Sequence, residues 1–295
     1  MPQVAAGALS IGYAEHGPAD GPPVVLMHGF PDDIRVWDAV APALGRAGCR
    51  VLTPYMRGYG PTRFLDAATP RSGEQAAFGA DLLALLDALG IGRAVLAGYD
   101  WGGRAACVVA ALWPERVRAL VSVGGYNIQD IARAAAHPGP VETELRYWYQ
   151  WYLNTERGRL GLTRNRRDLC RKMWQLWSPN WPFDEAVFAA TAASWDNEDF
   201  VAVSVHSYRH RYAVVPGDPA YADIERRLAA QPMIGVPTIA LDGAADDVTP
   251  PHDDAAHFSG PYEYRLIPIA GHFLPRDDPR AFLAALTTLL ETTER

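Results

Sequence analysis

The sequence predicts an α/β fold in which a mostly parallel central sheet has helices on both faces and carries an inserted helical region. Short apolar runs alternate with helix-like stretches in the first and last parts of the chain. The middle is rich in aromatic residues and poor in strand-like runs. Alternation of this kind indicates a parallel sheet, because each crossover places a helix against one of its faces.

The predicted strands are apolar runs bounded by glycine, proline or charge, as is typical of strands buried on both faces. In chain order they fall at residues 24–27, 51–52, 94–97, 120–123, 236–241 and 264–267. This order predicts one sheet whose strands are separated by crossover connections.

Helices are predicted between several of these strands. Residues 80–89 place Leu82, Leu83, Leu86 and Leu89 on one face, and a glycine follows. A second helix over 105–112 begins after a glycine pair and stops before a proline. Residues 224–230 and the segment from 279 onward complete the helical pattern.

The aromatic middle of the chain predicts a separate structural region. Six of the nine tryptophans lie between residues 126 and 219, and strand-like runs are nearly absent there. We therefore expect a core formed by residues 1–126 and 220–295, with a helical cap at 127–219. The aromatic density also predicts an apolar pocket.

Composition limits the possible partners. With 27 basic and 34 acidic residues the formal net charge is −7, so no overall basic field attracts nucleic acid or an anionic membrane. Three scattered cysteines and the absence of zinc-type spacing predict no disulfide framework and no metal. Without a leader-like or membrane-spanning run, we expect a cytoplasmic protein.

The most informative segment is the G-x-D-x-G turn of residues 98–102, which joins a predicted strand directly to a predicted helix. This is the context of a nucleophile elbow, with Asp100 at the position that serine often occupies. The alternative is that Asp100 is only the N-cap of the helix.

Four short motifs lie, in chain order, at residues 28–31, 98–103, 243–246 and 271–273. Together they resemble the motifs of the α/β-hydrolase superfamily, and of its epoxide hydrolases in particular. The resemblance implies the α/β-hydrolase fold, with Asp100 as nucleophile, His272 as base and Asp246 as the acid that orients it. Asp247 is the rival acid.

The same resemblance implies an oxyanion hole formed by the backbone N–H groups of Phe30 and Trp101. It also places His28 and Pro31 beside the substrate. The residue types suit alkyl transfer, because a carboxylate that attacks an alkyl carbon gives an ordinary ester, which water activated by His272 can open. No cofactor is expected.

Epoxide opening needs an acid for the departing oxygen, and the family uses two cap tyrosines. Tyr149 and Tyr208 match their sequence contexts, with Tyr152 and Tyr212 as alternates if the register differs. A phenol remains protonated at neutral pH and can donate to an alkoxide. Gln150 and Trp151, next to the first tyrosine, are expected to contact substrate together with Tyr152 and Tyr212.

The expected substrate is a small apolar epoxide, aromatic or aliphatic. The enzyme is expected to be a monomer or a homodimer. Haloalkane dehalogenases share the aspartate and the following tryptophan, but their usual Asn is Phe30 here. Fluoroacetate dehalogenases share an arginine matched by Arg104, but Trp101 replaces their second arginine. A non-catalytic ligand-binding protein on this fold is a third alternative.

Overall fold

The computed structural model describes residues 1–293. Within them the strands form one sheet in the order β1-β2-β4-β3-β6-β7-β8-β9, with β5 also paired to β2. The strands are β1 (Gln3–Ala6), β2 (Leu9–His16), β3 (Pro23–Met27), β4 (Arg50–Pro54), β5 (Arg63–Phe64), β6 (Ala94–Gly98), β7 (Val117–Val123), β8 (Thr238–Gly243) and β9 (Tyr262–Ile267).

The helices cover both faces of this sheet and fill the long connection between β7 and β8. They are α1 (Ala41–Arg46), α2 (Gln75–Ala88), α3 (Asp100–Leu112), α4 (Ile131–Ala136), α5 (Val141–Arg146), α6 (Trp148–Asn154), α7 (Glu156–Trp177), α8 (Glu185–Ala192), α9 (Phe200–His210), α10 (Ala222–Leu228), α11 (Leu274–Asp277) and α12 (Pro279–Thr293).

The predicted fold is confirmed. Strands β4, β3, β6, β7, β8 and β9 are neighbours in this order across the sheet and pair in parallel. Strands β1, β2 and β5 form antiparallel pairs at one side of it. The sequence analysis did not identify these three strands, because β2 alternates buried and partly exposed residues rather than forming an apolar run. Parallel pairing brings the carboxyl ends of β3, β6, β7 and β8 to one edge of the sheet.

The core lies between the parallel strands and the helices packed against them. Strand β6 is buried along its whole length, and α2 packs closely against α3. On α2 the buried leucines are Leu82, Leu85 and Leu86, whereas Leu83 and Leu89 are only partly buried. All four predicted leucines therefore pack against the core, and the helix also buries Leu85, which the prediction did not include.

The helices between β7 and β8 contact the carboxyl edge of the sheet directly. The indole Nε1 of Trp174 donates to the carbonyl of Pro31 at 3.2 Å. The backbone N–H of His272 donates to the carbonyl of Trp177 at 2.8 Å. Within residues 1–293 no helix combines the length and apolar character needed to cross a bilayer.

Candidate active site

Asp100 lies at the sharp turn between β6 and α3. Its φ of 50° is in the left-handed region, where a non-glycine residue is strained. The flanking glycines allow the turn to close: a Cβ at Gly98 would lie 2.5 Å from the carbonyl carbon of Gly102, and one at Gly102 would collide with the carbonyl of Met27. The turn thus presents the Asp100 carboxylate beyond the sheet edge.

The loop after β3 supplies a donor to this carboxylate. The backbone N–H of Phe30 donates to Oδ1 of Asp100 at 2.7 Å. A Cβ at Gly29 would lie 2.5 Å from the Asp100 Cβ, so only glycine permits this approach. Trp101 is the second residue of α3, and the first N–H groups of a helix have no acceptor within it. The capping alternative is wrong, because Tyr99 is the N-cap.

His272 lies between two carboxylates. Its Nδ1 is 3.1 Å from Oδ2 of Asp246, which is hydrogen-bonding distance. Its Nε2 is 3.9 Å from Oδ2 of Asp100, too long for a direct hydrogen bond, and has no partner among residues 1–293. Such a gap between two polar atoms suits a bridging water.

The two candidate acids differ clearly in position. Oδ1 of Asp246 accepts the backbone N–H groups of Val248 and Thr249 at 2.7 and 3.0 Å, which fixes its other oxygen toward the imidazole. Asp247 instead forms a 3.3 Å ion pair with Arg146 and has a 60% exposed side chain. The structure therefore brings Asp246 to the histidine.

The charge balance around His272 raises the pKa of its imidazole. Burial alone would lower this pKa, but the charge of Asp246, the hydrogen bond to it and the nearby Asp100 outweigh burial. The hydrogen bond also directs the Nδ1 proton toward Asp246, so a neutral His272 presents Nε2 as an acceptor.

Tyr149 and Tyr208 are brought together beside the elbow, with ring centroids 5.4 Å apart. The Tyr149 hydroxyl accepts a 2.9 Å hydrogen bond from Nε2 of Gln150, which leaves its own proton free to donate. The Tyr208 hydroxyl is buried without a partner among the described residues. Burial raises the pKa of both phenols well above 10, so both stay protonated at neutral pH.

A cavity of about 320 Å³ contains the carboxylate of Asp100 and the imidazole of His272. The side chains of Tyr149, Gln150 and Tyr212 also line it, whereas Tyr208 lies buried behind Tyr149 and does not. The Tyr212 hydroxyl donates to Oε1 of Gln150 at 2.9 Å. These contacts join the three polar side chains into one network on the cavity wall.

The prediction of an apolar pocket was wrong. Two arginines, Arg104 and Arg211, line the cavity, and none of the cap tryptophans does. Trp174, Trp177 and Trp195 are instead buried in packing contacts. Aromatic density therefore indicated how the helices pack together rather than the character of the cavity.

Two residues near the elbow do not reach the cavity, which corrects their predicted substrate contact. His28 is fully buried, its Nε2 accepts the N–H of Met56 at 3.1 Å, and burial lowers its pKa to about 4. Pro31 is buried against Trp174. Both support the loop that carries Phe30.

Trp151 and Tyr152 are corrected in the same way. The Trp151 indole donates to the carbonyl of Glu144 at 3.0 Å, and Trp151 lies outside the cavity with Asp100. The Tyr152 hydroxyl packs against Gly161 of α7. Neighbouring residues of a helix point about 100° apart, so only part of the 149–152 segment can face the site.

Sequence reasoning missed Arg211 and Gln129 as cavity residues. Arg211 follows Tyr208 by three positions, and residues so spaced share a helix face, which is the signal that could have identified it. Gln129 comes from the loop after β7 and accepts from Arg104 at 3.2 Å, a long-range contact that no local pattern indicates. Among residues 1–293 no cluster of His, Cys, Asp and Glu could hold a metal ion.

Comparison with known proteins agrees with this geometry. A family profile described as the alpha/beta hydrolase fold matches residues 22–279. The crystal structure of a candidate epoxide hydrolase from Klebsiella pneumoniae superposes with a TM-score of 0.94 at 47% identity, covering 100% of this chain and 97% of that one.

Curated relatives are also epoxide hydrolases by name. Epoxide hydrolase A of Mycobacterium tuberculosis is 28% identical, with 95% of this chain and 94% of that protein aligned. An epoxide hydrolase of Caballeronia sordidicola is 39% identical over 40% of this chain and 34% of that protein. The chain is a member of the alpha/beta hydrolase fold family of enzymes, similar within it to the epoxide hydrolases.

Proposed function

We propose that this enzyme is an epoxide hydrolase that forms an ester on Asp100 and releases a vicinal diol. The observation that carries the proposal is the pair of buried phenols with a proton to donate: Tyr149 lines the cavity with Asp100, and Tyr208 packs against Tyr149 and against Trp101 of the elbow. An epoxide oxygen needs such donors as its ring opens, whereas a departing halide does not. The names of the relatives point to the same chemistry.

In the first step Oδ2 of Asp100 attacks an oxirane carbon. Oδ1 is held by the Phe30 N–H at 2.7 Å, so Oδ2 is the oxygen left available. The carbon–oxygen bond of the ring breaks as the ester bond forms, and the emerging alkoxide takes a proton from Tyr149 or Tyr208. The resulting tyrosinate regains its proton from solvent. Donation to developing charge makes this general acid catalysis.

In the second step a water in the gap between His272 and Asp100 opens the ester. Nε2 of His272 takes a proton from the water, and the oxygen attacks Cγ of Asp100. The oxyanion that forms on Oδ1 is held by the N–H groups of Phe30 and Trp101. The bond between Cγ and the alkyl oxygen breaks, and the departing alkoxide takes the proton from the imidazolium to complete the diol. The carboxylic acid left on Asp100 releases its proton to solvent, and the carboxylate returns.

The helical segment between β7 and β8 acts as the cap in this scheme, at the predicted boundaries of 127–219. It contributes both proton donors, and its contacts with Pro31 and His272 hold it on the core. A cap of this kind excludes bulk water, which strengthens the interactions made with developing charge. Cytoplasmic location and a monomeric or homodimeric state remain predictions.

A second candidate is a dehalogenase of the fluoroacetate type, which the position of Arg104 on the cavity wall favours. The same Asp100 ester would then form by loss of fluoride. A side-by-side assay of styrene oxide, 1-bromobutane and fluoroacetate, with diol and halide measured, separates the candidates. We expect diol from the epoxide and little halide. Ready halide release without epoxide opening would contradict the proposal.

A further inference from the structure

Two guanidinium groups in the active-site cavity have no acidic partner. Arg104 lies on α3 one turn after Asp100, and Arg211 follows the last residue of α9. Within residues 1–293 neither has a carboxylate oxygen within 4.0 Å, and the Nε atoms of both are buried without a hydrogen bond. Each donates only one long side-chain bond, to Gln129 at 3.2 Å and to Gln150 at 3.3 Å respectively.

The two cavity arginines are partly buried, and two other arginines of the interior, Arg57 and Arg276, are paired differently. Arg57 forms two 2.7 Å hydrogen bonds with Asp81. Arg276 forms bonds of 2.7 and 2.6 Å with Asp32. Removing a cation even partly from water without supplying an anion is costly, and Arg57 and Arg276 avoid that cost by pairing with a carboxylate. The two cavity arginines therefore have guanidinium N–H groups available to bind an anion.

Both guanidinium groups line the same cavity, so the charge of Arg211 acts on Arg104. Burial lowers the pKa of Arg104 to about 10, and the charge of Arg211 is the next largest cause. The guanidinium of Arg211 lies 4.8 Å from the ring centroid of Tyr208, which holds it beside the proposed proton donor. An anion in the cavity would relieve the repulsion between the two cations.

We propose that Arg104 and Arg211 bind a carboxylate of the substrate, so that the enzyme acts on epoxy acids. This rests on the proposed function for its epoxide part. Asp100, Arg104 and Arg211 line the same cavity of about 320 Å³, so a carboxylate held by the two guanidinium groups lies close to a carbon attacked by Asp100. The guanidinium fork matches a carboxylate geometrically, and its charge offsets repulsion from the nucleophile.

Direct binding of non-reactive probes tests the anion site. Phenylacetate and its neutral isostere phenylacetamide are titrated calorimetrically into the wild-type enzyme, Arg211→Gln, Arg104→Gln and the control Arg209→Gln. Arg209 lies in the last turn of α9, two residues before Arg211, with its guanidinium 3.9 Å from Glu156, and it does not line the cavity. Circular dichroism and melting of each variant establish that it is folded.

We expect the wild type to favour phenylacetate roughly ten- to a hundredfold, the scale of a charged hydrogen-bonded pair. Either cavity variant should lose most of this preference, and Arg209→Gln should keep it within about twofold. Arg211→Lys should restore part of it, because the charge returns without the fork. Equal binding of the two probes, or no detectable binding of phenylacetate, would overturn the proposal.

A kinetic comparison separates this proposal from the proposed function. The substrates are 3-phenylglycidate and its primary amide, which differ in charge but hardly in shape. If the enzyme binds phenylacetate preferentially but opens neither epoxide, the anion site is supported and epoxide hydrolysis is rejected. If it opens both epoxides equally and binds the two probes equally, epoxide hydrolysis is supported and the anion site is rejected.

Discussion

Replacing the two tyrosines by phenylalanine separates proton donation from packing. Tyr149 and Tyr208 are 2% and 1% exposed, so water cannot readily take the place of a removed hydroxyl. Phenylalanine keeps the 5.4 Å ring contact between these two positions and removes only the donor. We expect Tyr149→Phe and Tyr208→Phe each to slow formation of the Asp100 ester, and the double variant to slow it far more.

The structure predicts different stability effects for the two variants. Tyr208→Phe removes a buried hydroxyl that has no partner, so the free energy of unfolding should stay unchanged or rise. Tyr149→Phe breaks the 2.9 Å bond from Gln150 and should cost about 1 kcal/mol. General acid catalysis contributes about 10²–10⁴-fold, which is the loss expected for the double variant.

The assay is stopped-flow tryptophan fluorescence under single-turnover conditions with styrene oxide, which isolates ester formation. Tyr152→Phe is the matched control, because this hydroxyl packs against Gly161 outside the cavity. The control should form the ester at nearly the wild-type rate. A folded Tyr149→Phe/Tyr208→Phe enzyme that formed the ester as fast as the wild type would refute the assignment of these residues as acids.

Further predictions concern the base and the elbow. Because His272 must be neutral to accept a proton and its pKa is raised, wild-type ester hydrolysis should rise with pH through a midpoint above 6.5. In Asp246→Asn, burial dominates the pKa of His272, so the midpoint should fall below 6.5 with a large loss of rate. Asp247→Asn should leave the pH profile unchanged. Equal profiles for both variants would contradict the assignment of Asp246 as the acid that orients His272. Gly29→Ala places a Cβ 2.5 Å from that of Asp100, so thermal melting should show a loss of about 1–3 kcal/mol, and ester formation should be nearly abolished; a stable, fully active variant would contradict the close approach.

Local patterns were sufficient for the parts of the fold that have strong local causes. The central parallel strands β3 and β6 are uninterrupted apolar runs, and the elbow needs glycine at positions 98 and 102 because any Cβ there meets backbone. The edge strands β1, β2 and β5 lack such a run, since one side of each is partly exposed. Their pairing depends on long-range contacts that no window of sequence contains.

The active site likewise contains residues positioned by local sequence and residues positioned by contacts distant in the chain. Asp100 and His272 stand in motifs whose spacing is determined by local backbone geometry, and the structure places their side chains together. His28 belongs to an equally recognisable motif but turns inward, because the N–H of Met56 holds its imidazole. A motif identifies the loop, whereas contacts distant in sequence decide which side chain faces the cavity.

Arg211 shows what sequence reasoning can miss. The sequence analysis matched Arg104 to one arginine of the fluoroacetate dehalogenases and found Trp101 in place of the other. The structure supplies a second guanidinium from the end of α9, more than 100 residues later in the chain. Charge complementarity in a cavity is a tertiary property, so local patterns could not predict it.

The central claim is that Asp100 forms a covalent ester that His272 is needed to hydrolyse. Intact mass spectrometry of His272→Gln mixed with styrene oxide, followed by peptide mapping, tests it most directly. We predict one stoichiometric adduct with the mass of one substrate, located on Asp100 and persisting while the wild type has already returned to its free mass. A folded His272→Gln enzyme that carried no adduct, or that turned over at the wild-type rate, would contradict the account.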